Sequence, residues 1–101
     1  MNSNNQIILK NKEVVNLALT ISGLSKLKTH DENFYRKLCK YVLEGTTDIL
    51  EMCDIAYGAY LIANYDNEKK YTKEEFLDLM PDDIGGISNL IIRLIYPKSS
   101  E

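Results

Sequence analysis

The chain has 101 residues, 45% of them apolar and 27% charged, with a formal net charge of −3 and an isoelectric point near 5.1. That length makes one domain with a modest core, the balance excludes wholesale disorder, and the acidity with scattered lysines argues against a nucleic-acid surface. No apolar run reaches the roughly 20 residues of a membrane-spanning helix, and the polar start MNSNNQ lacks the pattern of a signal peptide, so a cytoplasmic protein is expected.

Residues 1–5 read as a loose end. In QIILKNKEVVNLAL, residues 6–19, two apolar runs flank Lys10-Asn11-Lys12, and Asn11 tolerates the left-handed backbone of a tight turn. Val15, Leu17 and Leu19 alternate with Asn16 and Ala18, the period of a strand, so the segment is expected to be a β-hairpin. Val14, Leu17, Ala18, Ile21 and Leu24 also fit one face of a helix, which is the competing reading.

A bundle of four to five short helices is expected over residues 20–96. The first runs from about Thr20 to Lys28, with Leu24 and Leu27 inward and Gly23 weakening it. Thr29-His30-Asp31-Glu32 has the form of a capping box and opens the second, whose stripe is Phe34, Leu38, Tyr41 and Val42 and whose end is Gly45. Thr46-Thr47-Asp48 supplies the next cap. The longest helix, about Ile49 to Ala63, carries Ile49, Cys53, Ala56, Tyr57, Tyr60 and Ala63 at helical steps, with small Ala56, Gly58, Ala59 and Ala63 allowing close approach. It is expected to be the centre of the core. A polar loop, 64–71, leads to a second capping box, Thr72-Lys73-Glu74-Glu75, and a short helix with Phe76, Leu77 and Met80, ended by Pro81. Asp82 and Asp83 favour the start of a last helix to about Tyr96, with Gly85-Gly86 fraying its first turn. Its face is Ile84, Ile87, Ile91, Leu94 and Ile95; Pro97 stops it, and 97–101 is a tail. The fold class is thus mainly α (α+β), a single domain with an N-terminal hairpin.

Chemical signals are sparse. YDNEKKYTKEEF, residues 65–76, looks at first like a calcium-binding EF-hand loop. With Glu75 as its closing bidentate ligand, the first position falls on Asn64 and the next ligands on Asp66 and Glu68. The position where the sharp turn demands glycine then falls on Lys69, which adds positive charge beside any metal. A solvated loop feeding a helix is the better reading. Cys39 and Cys53, with His30 as the single histidine, do not make a zinc site and read as buried free thiols. His30 has no nucleophile in a recognisable context, since Ser22, Ser25 and Ser88 lie in plain helical surroundings. The pairs Asp31-Glu32, Glu74-Glu75 and Asp82-Asp83 are each explained by a helix start. No metal, cofactor or catalytic residue is expected. Tyr57, Tyr60, Tyr65 and Tyr71 cluster around the end of the long helix, a composition suited to protein contact, though each also fits the edge of a core.

The order of these pieces carries a resemblance. The hairpin, TISGLSKL, DENFYRKLCKYVLEGTTDILEMCDIAYGAYLIAN, YTKEEFLDLMPDD and a last apolar helix, about residues 6 to 96, resemble the small tail assembly chaperones of long-tailed phages and prophages of Gram-positive bacteria. The resemblance implies a non-enzymatic protein of the host cytoplasm, absent from the mature virion. Such a protein binds and solubilises the long helical tape-measure protein and aids recruitment of tail-tube subunits, in some families alongside a frameshifted longer form. A groove for an amphipathic helix would suit that role, and Tyr57, Tyr60, Leu61, Tyr65, Phe76 and Met80 are the expected contact residues. A small cytosolic regulator that binds another protein, and a calcium-responsive module, are the alternatives. A homo-oligomer is a further expectation, because Ile55, Leu61 and Ile62 lie off the main stripe of the long helix.

Overall fold

A computed structural model describes residues 5–96, so the expected tail, 97–101, its Pro97 stop and residues 1–4 lie outside the described residues. Strands β1 (Gln6–Ile8) and β2 (Val14–Asn16) form an antiparallel hairpin in which Ile7 pairs with Val15. Its inner side buries Ile7, Leu9, Val15 and Leu17, while Ile8 and Val14 face outward, the alternation expected of a half-buried pair. The hairpin reading therefore holds over the helical one. Asn5 is not loose: its carbonyl accepts from Leu17 N–H at 2.8 Å. The turn also differs in one detail. Lys12, not Asn11, takes the left-handed conformation (φ 72°), because the Asn11 Oδ1 is engaged in accepting from Glu13 N–H at 3.0 Å.

Five helices follow: α1 (Ile21–His30), α2 (Glu32–Glu44), α3 (Ile49–Ala63), α4 (Lys73–Leu79) and α5 (Ile84–Ile95). Thr20 caps α1 by accepting from Gly23 N–H. The capping box expected at Thr29 is corrected. Helix α1 runs on through Thr29, whose hydroxyl donates back to the Ser25 carbonyl, and His30 closes α1 rather than opening α2. Asp31 joins the two: its N–H donates to the Leu27 carbonyl at the end of α1, and its Oδ1 accepts from Phe34 N–H at the start of α2. Glu32, left without a cap to reach, pairs with Arg36 one turn on.

Gly45 ends α2 at φ 85°, a conformation closed to most side chains, and Asp48 caps α3. Thr72 and Glu75 form the expected reciprocal box at α4. Asp83 caps α5 by accepting from Gly86 N–H at 3.0 Å, so the glycine pair sits inside an ordered first turn.

Helix α3 is the axis of the domain, touching every other helix and β2. Ile55, Ala56 and Ala59 have no exposed surface. At Gly58 the absence of a side chain lets α2 approach: an added Cβ would stand 2.7 Å from Leu38 Cδ2. Ile55, expected to strain a single small core, is buried within it, and Leu61 and Ile62 are half-buried. Of the three residues behind the oligomer expectation, Ile55 is therefore removed from it.

Candidate protein-binding groove

Three of the six expected contact residues belong to the core. Tyr60, Phe76 and Met80 are buried, Phe76 completely, so in this fold they offer a partner little surface. The reason is packing of α4 across the end of α3: the Tyr60 and Phe76 rings stack at 4.9 Å, and Tyr57 tilts against Phe76 at 5.5 Å. Tyr57 is half-buried and its hydroxyl donates to the Tyr71 carbonyl at 2.8 Å, while the Tyr60 hydroxyl accepts from Tyr71 N–H at 2.8 Å. Two tyrosines of α3 thus hold both backbone groups of one loop residue. Burial, then the neighbouring Tyr60 and Glu75, pushes the Tyr57 phenol above its ordinary value. Leu61 is half-buried, and Tyr65 lies at the surface under Lys26, whose Nζ is 5.1 Å from the ring centre.

The loop 64–72 encloses, with β2, a polar cleft of about 660 Å³. Its interior is organised by a lysine. Lys70 Nζ donates to the carbonyls of Tyr65 and Asn67 at 3.2 and 2.8 Å, so an ammonium holds two carbonyls of the EF-hand-like stretch. Glu75, the expected bidentate ligand of that stretch, accepts from Thr72 N–H as part of the capping box. Tyr71 donates to Glu13 across the cleft, and that bond holds its phenol above the ordinary value. Among the described residues no three His, Cys, Asp or Glu side chains converge as metal ligands.

The apolar concavity lies elsewhere. Leu19, Ile21 and Leu24 approach from the N-terminal side, Tyr35, Leu38, Cys39, Val42 and Leu43 from α2, and Leu94 and Ile95 from α5. Together they line a groove of about 410 Å³. Leu38 forms its floor with no exposure, whereas Ile21 and Leu43 stand at its rim 83% and 84% exposed. Lys28 Nζ, 5.7 Å from the Tyr35 ring centre, covers part of the Tyr35 face. Covering one such aliphatic side chain contributes about 1.5–3 kcal/mol, so the two rim residues alone make this a favourable seat for an apolar helix face.

Comparison of the chain with protein-family models, with curated proteins and with solved structures gave no match. Function is therefore argued from the surface itself. Ile21 and Leu43 escaped the sequence reading for different reasons. Leu43 directly follows Val42, and Ile21 counted only toward the competing helical reading of the first segment. The signal that could have found Leu43 is the doubled apolar position at the end of an otherwise charged helix, and for Ile21 it is the three-residue step to Leu24. No helix among the described residues is long and apolar enough to cross a membrane.

Proposed function

We propose that this protein is a non-enzymatic tail assembly chaperone that binds the tape-measure protein of a long-tailed phage or prophage, keeps it soluble in the host cytoplasm and aids recruitment of tail-tube subunits. The observation that carries the reading is the groove between α1, α2 and α5, floored by Leu38 and rimmed by the exposed Ile21 and Leu43. An open apolar trough of that kind suits one face of an amphipathic helix, whose anchors recur at three- and four-residue steps, and a tape-measure protein offers such helices in long series. The resemblance of residues 6–96 to these chaperones supplies the identity of the partner. The binding residues move accordingly, from the buried Tyr60, Phe76 and Met80 to Ile21, Leu24, Val42 and Leu43.

The test is co-expression with a tape-measure protein from the same genome, reading the soluble fraction, with intact-mass identification of what co-purifies from the native lysate. The wild-type chain should keep the long partner soluble. Ile21→Glu with Leu43→Glu should abolish that effect with little change in thermal stability, because exposed substitutions away from special features stay within about 0.5 kcal/mol. A double variant that solubilises as well as the wild type would remove the groove from the account. Absence of any tape-measure association in cells expressing tail genes would favour a small regulator using the same groove.

A further inference from the structure

Strand β1 has an open edge. Leu9 N–H donates to the Glu13 carbonyl and Leu17 N–H to the Asn5 carbonyl, each at 2.8 Å, so the odd-numbered residues of this strand bond across the hairpin. Gln6 and Ile8 therefore turn their N–H and C=O groups away from β2, and among the described residues no other backbone meets them. One step on, the edge is occupied, because Lys10 N–H donates to the Leu79 carbonyl at 2.7 Å. Pro81, beside Ile8, has no N–H with which to continue that pairing. The edge of β2 is different, since Asn64 Nδ2 already donates to the Asn16 carbonyl at 3.2 Å. Between the β1 edge and α5 lies a hollow of about 350 Å³ floored by Ile7, Ile87 and Leu90, with Asp83 and Arg93 in its lining. These two charges stand about 15 Å apart along α5, ten residues at 1.5 Å each. Neither is in an ion pair among the described residues.

Open backbone groups on alternate residues are matched by an extended chain and not by a helix, whose own backbone bonds are internal. We infer that the β1 edge takes an extended segment of another protein as a third strand, antiparallel to β1, whose inward side chains at i, i+2 and i+4 are basic, apolar and acidic. Residues i+1 and i+3 of that segment each exchange both backbone hydrogen bonds, with Ile8 and Gln6 in turn. The apolar side chain at i+2 then falls opposite Ile7 and over Ile87 and Leu90. Four strand steps of about 3.4 Å set the two charges about 14 Å apart, close to the spacing of Asp83 and Arg93. Asp83 stands at the Ile8 end of the hollow, because Lys10 is held there by Asp82 Oδ2 at 3.2 Å. An antiparallel segment therefore meets Asp83 first and Arg93 last, which fixes the order basic, apolar, acidic. A second copy's β1 does not fit, since it would bring Lys10 to Arg93. The hollow shares no lining residue with the apolar groove, so the two sites can be filled together.

The probe is the peptide acetyl-Lys-Thr-Val-Thr-Glu-amide, titrated into the full chain and followed by amide nitrogen–proton correlation spectra. The expected result is saturable shifts centred on Gln6 and Ile8, with slowed exchange of both amide protons. The dissociation constant should rise at least about tenfold in Arg93→Glu, where attraction becomes repulsion, and by a similar factor for the peptide of reversed order, Glu-Thr-Val-Thr-Lys. N-methylation of both threonines should abolish binding, because it removes the N–H groups that the Gln6 and Ile8 carbonyls accept from. Ile8→Pro should weaken binding in the same way and leave the hairpin ladder intact, since the Ile8 N–H lies outside it; circular dichroism checks the fold. Absence of shifts at Gln6 and Ile8 at millimolar peptide would overturn the inference. So would binding that survives N-methylation, or binding indifferent to both Arg93→Glu and reversal of the peptide. Shifts centred on Leu24 and Val42 would overturn it by placing the peptide in the apolar groove. Shifts of Gln6 and Ile8 that depend on protein concentration without peptide would do so by placing a second copy at the edge.

Discussion

The hydroxyl of Tyr60, near the end of α3, accepts a 2.8 Å hydrogen bond from the backbone N–H of Tyr71, eleven residues further along the chain. One turn earlier, Tyr57 donates to the carbonyl of the same residue. The loop between α3 and α4 is therefore tied to the core through Tyr71. Tyr60→Phe should destabilise the protein by about 1–2 kcal/mol, the cost of a half-buried donor left without its partner. That corresponds to a fall in Tm of roughly 4–16 °C for a domain of this size. Amide exchange should accelerate selectively across residues 64–72. Uniform acceleration over the whole chain would mean that the hydroxyl supports the core in general and does not tether the loop.

Gly58 lets Leu38 of α2 pack directly on the backbone of α3. A methyl group there would stand 2.7 Å from Leu38 Cδ2 and 3.2 Å from Cδ1, and Leu38 has no exposed surface into which it could swing. Alanine gains about 1 kcal/mol of helix propensity over glycine, but overpacking costs about 1–3 kcal/mol. Gly58→Ala is expected to lower stability by about 1 kcal/mol in chemical denaturation. A rise in midpoint would show that Leu38 repacks freely.

Lys12 holds φ 72° in the hairpin turn, a left-handed conformation that costs a residue with a side chain about 1–2 kcal/mol. Lys12→Gly removes that penalty and loses part of the gain to the greater freedom of glycine in the unfolded chain. The expected net effect is stabilisation by about 0.5 kcal/mol, read as a higher denaturation midpoint with an unchanged slope. Asn11→Ala should act in the opposite sense, because its side chain holds the Glu13 N–H.

Alkaline pH should unfold the domain in two stages. Burial, and secondarily the charge of Asp54, raises the Cys53 thiol above its ordinary value near 9.0. Burial does the same for the Tyr57 phenol, and the hydrogen bond to Glu13 for that of Tyr71, both above 10.0. Each group holds its proton more tightly folded than unfolded. The stabilisation is therefore complete below the unfolded value and is lost as pH climbs through the folded one. Tm should stay level up to about pH 9 and decline beyond it, and Cys53→Ala should delay the onset to about pH 10. An onset unmoved by that substitution would assign the first stage to another group.

Local chemistry was legible in the sequence wherever the interacting residues lie within one turn of each other. Thr72 and Glu75 form their reciprocal cap because a residue and its third neighbour meet at a helix start whatever surrounds them. Gly45 ends α2, and Ile49–Ala63 is helical, for equally local reasons. The Thr29 cap was misread because Asp31, two positions on, offers the same oxygen chemistry and α1 had room to extend to it. Tertiary structure decided which apolar residues are core and which are surface. Helix α3 is packed against the other four helices and β2, so Ile55 off its main stripe is as buried as Ala56 on it, and Tyr60 and Phe76 lock together across two helices. The groove exists because Leu24, Leu43 and Leu94, distant along the chain, converge where α1, α2 and α5 meet. Periodicity reports the face that a helix offers; whether another helix covers that face depends on packing between segments far apart in sequence.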